Sequence, residues 1–424
     1  MKRLLVEPLA SVRCAILSPL TIIIDGLDEA GDVPALLSEV IEPVAAALSS
    51  IPRPVKVIIS SRDFRALHQS RYRGGLEGNV NVHWLHELDE KTVRNDMRRF
   101  VADGLSRVRK RAGLSLAWPT DAQVDSLTDR AGSLFIYATT ALQFVGDGRY
   151  SPETRLKQLL DSDRHLSPTD SSSGPLFSEL DALYLEVLLN FVGPTPLSLE
   201  SDLLQRLRSV LAVIVYAAEP MSTRVLSGIV NIRISDLEPI IHGLAAIWTV
   251  PHDNDQQIFL CHLSFSEFIS DSTRCTEPGL CVNQVVGHEL LATACLRKMN
   301  RTLHRDICKL IEPGKPLPCI EAYLPGVIEA NVDRALRYAC LHGVDTHLRQ
   351  MGRSEDSAQC LSQILSEDLA EFCSEHLLHW VEVRAVLGED SLRALIRTLQ
   401  YWTRSGSVRN YILLLFCPPD FSVE

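Results

Sequence analysis

The sequence predicts an α/β domain followed by a mostly α-helical region, and three observations support this prediction. Two five-residue runs of mainly apolar or β-branched residues, Leu20–Ile24 and Val55–Ile59, flank a helical pattern at residues 34–50, which is the order expected of a parallel sheet covered by helices. From Glu90 onward, apolar residues recur with the period of about 3.6 that is typical of helices. With 46% hydrophobic residues and a formal net charge of −11, the 424-residue chain has the composition of a folded protein.

The first predicted domain, residues 1–89, contains a partial parallel sheet. The run Leu20–Ile24 is apolar or β-branched throughout, a pattern that suits a strand buried on both faces. Residues 80–85 are a candidate third strand.

Three helical regions are predicted to follow this domain. Residues 90–200 form a helical domain with an exposed loop at 162–175, which is rich in Ser, Pro, Asp and Gly. Residues 201–275 contain helices followed by a hairpin around 251–256, an order that describes a winged-helix module. Residues 285–424 are helical, without a clean repeat that would indicate a regular solenoid.

The charge balance argues against a general nucleic-acid-binding protein, whose phosphate contacts need a dense Lys/Arg face. The conspicuous basic stretch comprises Arg107, Arg109, Lys110 and Arg111. Either a local basic patch or a solvated helix end explains this stretch.

The sequence predicts a cytoplasmic protein that does not enter a membrane. No apolar run reaches the roughly 18 residues needed to cross a bilayer. Glu7, Pro8 and Arg13 interrupt the N-terminal apolar stretch, so no signal peptide is expected. Eleven cysteines, an odd number without regular spacing, indicate a reducing compartment.

The strongest chemical signal lies directly after the first predicted strand. Asp25 ends this strand, and Asp28 and Glu29 follow after a tight turn. Ligands collect at the carboxyl ends of parallel strands, where one carboxylate can hold Mg²⁺ directly or through water. The later acids can orient or deprotonate an attacking water. Alternatively, Asp28 and Glu29 merely favour the dipole of a helix that begins there.

A second signal follows the second predicted strand, about 35 residues later. Ser60, Ser61 and Arg62 come at the end of this strand, and we expect them at the same edge of the sheet. A guanidinium suits a γ-phosphate because it offers several fixed donors and stays charged. The alternative is a surface ion pair between Arg62 and Asp63.

These two segments, IIIDGLDEAGD and VKVIISSRDF, resemble the Walker B and sensor 1 segments of NACHT ATPases, in the form common among fungal NLR-like proteins. Four more segments are similar to later parts of that family: AGSLFIYA at 131–138, HLSFSEFI at 262–269, LRYAC at 336–340 and LLHWVEV at 377–383. The resemblance covers most of the chain.

The resemblance implies a role for each candidate residue in a STAND-class P-loop NTPase that binds Mg-ATP or ADP. Asp25 would organise Mg²⁺, Asp28 and Glu29 would activate water, and Arg62 would sense the γ-phosphate. His262 would donate to the β-phosphate of ADP and hold the closed state. The alternative for His262 is a satisfied core histidine on a strand-to-helix turn.

The chain departs from the family at the phosphate-binding loop. It contains no G-x-x-x-x-G-K-[ST] motif, and only 24 residues precede Asp25. This departure predicts an N-terminally truncated or degenerate relative with weak or no ATP binding by itself. A strand that lacks its neighbour could also expose an edge and promote self-association.

Two hypotheses follow from the sequence. The first is a nucleotide-dependent signalling switch, and the second is a non-enzymatic scaffold that binds protein partners through residues 285–424. The choice between ATP and GTP stays open, as does the possibility that hydrolysis survives.

Overall fold

The structure, a computed structural model, describes residues 20–26, 55–60, 89–161, 175–193, 202–309, 324–348, 350 and 363–388. The chain divides into two compact units, Met1–Asp89 and Glu90–Glu424.

The first unit contains a parallel pair of strands at the predicted positions. Strand β1 spans Leu20–Ile24 and strand β2 spans Val55–Ile59. Their register pairs Leu20 with Val55 and continues to the pair Ile24 and Ile59. β-branched residues dominate both strands, and such residues favour extended backbone because their χ1 angle is restricted.

The prediction that β1 is buried on both faces is wrong. Ile23 and Ile58, which are paired in the register, have 69% and 55% of their surfaces exposed. Ile22, Ile24 and Val57 point to the other face and are half-buried. An unbroken apolar run specifies a strand but does not require a second covering layer. The predicted helix at 34–50 and the third strand at 80–85 lie outside the described residues.

The described part of the second unit is mostly helical. Its fourteen α-helices are, in order, α1 Glu90–Ala112, α2 Asp121–Ala131, α3 Phe135–Val145, α4 Pro152–Asp161, α5 Pro175–Val192, α6 Asp202–Tyr216, α7 Thr223–Val230, α8 Ile234–Gly243, α9 Leu263–Ser270, α10 Gln284–Thr302, α11 Leu324–Asn331, α12 Arg334–Tyr338, α13 Gln363–Glu371 and α14 Leu377–Val386. Two π-helical segments, Ala339–Leu348 and Phe372–His376, lie within the C-terminal part. No helix among the described residues is both long enough and apolar enough to cross a membrane.

Helices α1 to α4 share one core, and local caps define their limits. Thr120 begins α2 through a reciprocal capping box with Gln123. Gly132 ends α2 with a positive φ of 55°, a backbone conformation that glycine adopts without steric cost. Residues 124–145 are therefore divided between two helices, α2 and α3.

A short antiparallel pairing follows α8. Trp248 pairs with Leu260, and the Thr249 amide donates to the Phe259 carbonyl at 2.8 Å. Trp248 is buried, and its indole N–H donates to the Ile241 carbonyl. The order is thus three helices, a narrow strand pair and then α9. The predicted hairpin is present, and α8 ends at Gly243 before it.

The C-terminal helices surround α10, whose buried face includes Leu291, Cys295 and Met299. A Cβ atom on Gly343 of the first π-helical segment would lie 2.7 Å from the Cβ atom of Cys295. Glycine at this position therefore allows the segment to approach α10 closely. Pro325 lies in the first turn of α11, where proline is tolerated.

A buried hydrogen-bond chain joins α10 to the first π-helical segment. The Ala218 amide donates to the Tyr338 hydroxyl at 3.0 Å, so this hydroxyl can direct its own proton to His347 Nε2 at 2.8 Å. With the hydroxyl proton in that direction, His347 Nδ1 carries the ring proton and would donate to His288 Nδ1, which lies 3.0 Å away. This direction satisfies every partner only when both imidazoles are neutral.

Candidate functional site

The carboxyl ends of β1 and β2 bring two polar side chains together. The Ser60 amide donates to the Ile24 carbonyl at 2.9 Å, which extends the parallel pairing by one residue. The Ser60 hydroxyl accepts the Gly26 amide at 2.9 Å and donates to Asp25 Oδ1. This geometry matches the prediction that both strand ends present polar groups at one edge.

The backbone turns away from the strand at Gly26, which has a φ of 64°. Any other residue would be strained in this left-handed conformation, since a Cβ atom crowds the backbone there. The turn directs the Gly26 amide toward Ser60, and the serine in turn fixes the Asp25 carboxylate. Asp25 and Ser60 are both exposed, so a ligand can reach them.

The donor set at this edge suits Mg²⁺ bound through few protein ligands. It offers the carboxylate of Asp25 and the hydroxyl of Ser60. Within the part of the chain that the structure describes, no group of three or more His, Cys, Asp or Glu side chains could hold a metal ion. Mg²⁺ commonly uses one or two carboxylates and completes its shell with water and substrate phosphates. One strand-end aspartate is compatible with that mode.

Three of the predicted site residues, Asp28, Glu29 and Arg62, lie outside the described residues. Their roles as water-activating acids and as a phosphate sensor stay predictions.

His262 caps the N-terminus of α9, at a strand-to-helix turn as predicted. Its Nδ1 atom accepts the Ser264 amide at 3.0 Å and lies 2.8 Å from the Ser264 hydroxyl. A nitrogen that accepts an N–H must carry its lone pair, so the proton of the neutral ring lies on Nε2. This Nε2 atom makes no hydrogen bond to any residue that the structure describes. The half-buried ring therefore has one satisfied nitrogen and one available donor.

Buried groups fix the orientation of the His262 cap. The Tyr184 hydroxyl of α5 lies 2.8 Å from the Ser264 hydroxyl, and both side chains are buried. Burial raises the pKa of Tyr184 to about 12, so its proton stays in place at neutral pH. Phe265 and Phe268 pack around its ring at centroid distances of 5.2 and 5.6 Å.

Two features near these helices could not be predicted from the sequence. In the sequence, Tyr184 occupies one of the apolar positions of α5, and its hydrogen-bond partner Ser264 is 80 residues away. Arg155 reads as a surface position on α4, yet it is buried. Neither contact has a local sequence pattern, because both depend on how separate helices pack.

No protein-family model, curated protein or solved structure matches this chain.

Proposed function

We propose that this chain is part of a NACHT-type, STAND-class signalling switch that responds to a nucleotide. The observation that carries the proposal is the contact between Asp25 and Ser60 at the carboxyl edge of a parallel strand pair. In open α/β sheets, nucleotide ligands bind at this edge. An exposed carboxylate held by a neighbouring strand end suits a Mg²⁺ ligand better than it suits a structural role.

In this proposal Asp25 holds the Mg²⁺ of Mg-ATP through water, and the ion neutralises phosphate charge when bound. Asp28 and Glu29 orient the attacking water, and Arg62 contacts the γ-phosphate. His262 donates from Nε2 to a phosphate oxygen of bound ADP, a role that the proton position on its ring supports. Hydrolysis itself is not required for a switch that distinguishes ATP from ADP.

The proposed switch binds nucleotide weakly, because the 424-residue sequence contains no phosphate-binding loop motif. Each absent charge-assisted hydrogen bond would contribute about 1.5–3 kcal/mol. We therefore expect weak or no ATP binding by this chain alone. Micromolar affinity in a Mg-ATP titration would contradict this expectation.

A manganese titration tests the proposed role of Asp25, with Mn²⁺ as a paramagnetic substitute for Mg²⁺. At millimolar ATP, equilibrium dialysis followed by electron paramagnetic resonance of the acidified samples measures the excess Mn²⁺ held on the protein side. We expect Asp25→Asn to abolish ATP-dependent Mn²⁺ binding. Asp103→Asn is the matched control, because Asp103 is an exposed acid on α1. Equal ATP-dependent binding by Asp25→Asn and Asp103→Asn would contradict the proposed role of Asp25.

We also propose that residues 201–275 form a winged-helix-like domain that couples nucleotide state to the helical region. The order of α6, α7 and α8, a strand pair and α9 supports this assignment. His262 lies at the junction of the strand pair and α9, so a ligand bound to its Nε2 would act on both. Residues 90–200 and 285–424 are the helical domain and the C-terminal helical region of the same proposal.

A second candidate is a helical scaffold without nucleotide chemistry, and one surface residue favours it. Leu378 in α14 is 77% exposed beside the buried Trp380, so its apolar side chain is accessible to a partner of the C-terminal helices. On this alternative, residues 285–424 bind protein partners and the first unit contributes self-association. A G-x-x-x-x-G-K-[ST] segment encoded in frame ahead of codon 1 would favour the switch, and intervening stop codons would favour the scaffold.

We propose a cytoplasmic location for either function. All seven cysteines in the described residues are free thiols, and five of them are buried. A reducing compartment keeps such thiols in this state.

A further inference from the structure

A pocket of about 800 Å³ lies within the second unit, between α1, α3 and α5 on one side and the end of α8 on the other. Pockets of this volume hold small molecules of cofactor size. Its apolar wall includes Phe100, Leu142 and Phe191, and its polar wall is dominated by arginine.

The charge of this pocket is opposite to that of the whole chain. Four arginines line it, whereas Asp147 is its single acidic residue. The chain as a whole carries a formal charge of −11. A concave positive surface on an acidic protein concentrates anions, because the pocket walls focus the local field.

The carboxylate of Asp147 cannot neutralise all four arginines of the pocket, because it already forms an ion pair with Arg149. Arg149 forms a two-pronged ion pair with it, with Nη2 at 2.6 Å from Oδ2 and Nε at 3.0 Å from Oδ1. Arg149 Nη2 also donates to the Gly243 carbonyl at 3.1 Å, which ties the end of α8 to this wall. Asp147 also attracts Arg155 electrostatically but forms no ion pair with it, so one carboxylate is shared between two of the four arginines.

One of the arginines that line the pocket, Arg155, is buried. Only 5% of its surface is exposed. Its guanidinium carbon lies 4.0 Å from the Phe144 ring centroid and 3.9 Å from that of Tyr150. It forms no ion pair with any residue that the structure describes. Burial lowers the pKa of Arg155, although the charge of Asp147 and the contact with Tyr150 oppose this shift.

Two exposed arginines complete the positive wall. Arg107 and Arg111 are one turn apart on α1, and both line the pocket. Neither forms an ion pair or a side-chain hydrogen bond within the described ranges. A solvated helix end would explain these two residues, but it would not explain a buried arginine stacked between two rings behind them.

We propose that this pocket binds a small molecule that carries a phosphomonoester on an aromatic or apolar body. Guanidinium groups match phosphate oxygens with several fixed N–H donors. A phosphomonoester dianion neutralises more of the positive charge of these arginines than a monoanionic carboxylate does. Phe100, Leu142 and Phe191 would cover the apolar body. The proposal does not rest on the nucleotide switch, because its residues all belong to the second unit.

Isothermal titration calorimetry with phenyl phosphate tests this site without any nucleotide. Benzyl alcohol serves as the uncharged probe and benzoate as the monoanionic probe. We expect binding of phenyl phosphate, at least tenfold weaker binding of benzoate and no detectable binding of benzyl alcohol. Benzoate bound as tightly as phenyl phosphate would overturn the choice of phosphate, and no binding of phenyl phosphate would overturn the site.

Two variants locate the binding. Arg155→Leu removes the buried guanidinium at similar volume, and the double variant Arg107→Gln with Arg111→Gln changes exposed side chains alone. We expect each to weaken phenyl phosphate binding about ten- to a hundredfold, since each removes charge-assisted hydrogen bonds. Arg99→Gln is the matched control, since Arg99 is exposed on α1 and outside the pocket. If Arg155→Leu does not fold, the affinity of the Arg107→Gln and Arg111→Gln double variant for phenyl phosphate tests the proposal. Unchanged binding in that double variant would refute the proposal.

Discussion

The strand pair of the first unit and the helices of the second unit place their polar side chains differently. Asp25 and Ser60 contact each other in an exposed position at the strand ends. In the second unit, the ion pair of Asp181 with Arg274 and the pair of His288 with His347 are shielded from solvent. Polar groups that are buried and partnered stabilise a fold, whereas polar groups that are fixed yet exposed are available to a ligand.

The comparison predicts where substitutions affect stability and where they affect binding alone. Changes to the buried pairs of the second unit should lower the free energy of unfolding. Changes at the strand ends should leave it nearly unchanged.

The largest effect is expected for Asp181→Ala. Arg274 donates to both carboxylate oxygens of Asp181 at 2.7 and 2.9 Å, and the two side chains are 14% and 9% exposed. Removing the acid leaves a shielded guanidinium with the more distant Glu267, at 3.6 Å, as a partner. We expect the free energy of unfolding to fall by roughly 3–5 kcal/mol in urea titrations.

The matched control for this variant is Asp255→Ala. Asp255 forms a similar two-pronged pair with Arg224, but the two side chains are 56% and 60% exposed. Solvent screens such a pair, so we expect little change in stability. Equal losses in the two variants would contradict the assignment of stability to the buried pair.

The next effect is a loss of stability in acid from the two buried histidines. Burial lowers the pKa of His347 to about 3 and that of His288 below its usual value. The unfolded chain binds these protons near pH 6.5, so stability is full above that pH and falls as the pH decreases toward 3. For His347 the loss of unfolding free energy is about 1.4 kcal/mol per pH unit in this window, and His288 adds to the loss as the pH first falls below 6.5.

His347→Gln tests this origin, because glutamine forms hydrogen bonds but does not titrate. We expect the plot of unfolding free energy against pH between 6.5 and 4 to be shallower in this variant. An identical slope in the variant and the unmodified chain would show that other groups cause the acid sensitivity.

A smaller effect is expected for Ser264→Ala, which removes the hydroxyl between Tyr184 and His262. A buried phenol would lose its partner, at a cost of about 1–3 kcal/mol. Ser266→Ala, on the exposed face of the same helix, is the control and should cost less. Thermal unfolding of both variants measures the difference, and a larger loss in Ser266→Ala would contradict the role of the buried hydroxyl.

The smallest effect on folding is expected for Asp25→Asn. Asp25 is exposed, and asparagine retains an oxygen that accepts from Ser60. We expect the free energy of unfolding to change by no more than about 0.5 kcal/mol. A loss of several kcal/mol would show that Asp25 is structural, and the contrast between the two units would fail.

The sequence predicts local structure well and distant partners poorly. Both strands lie where the apolar runs place them, because a run of β-branched residues specifies extended backbone by itself. The shared edge follows from the parallel order, so Asp25 and a strand-end serine could be predicted together. The exposure of Ile23 could not, since an apolar run does not say what covers it.

Contacts between distant helices have no sequence signature of this kind. Asp181 and Arg274 are 93 residues apart, and His288 and His347 are 59 residues apart. Each residue satisfies the periodic pattern of its own helix, and that pattern does not identify a partner. The π-helical segment Ala339–Leu348 also cannot be predicted from the sequence, because a shift of the hydrogen-bond register depends on packing against α10.

The most direct test of the central claim is a cross-link between the two strand ends. Paired residues on neighbouring strands lie within the Cα separation that a disulfide spans. In the double variant Asp25→Cys with Ser60→Cys, mild oxidation should form an intramolecular bridge that peptide mass spectrometry assigns to positions 25 and 60. If these two cysteines do not react with each other, the strand ends do not share an edge, and the proposed nucleotide site has no structural basis.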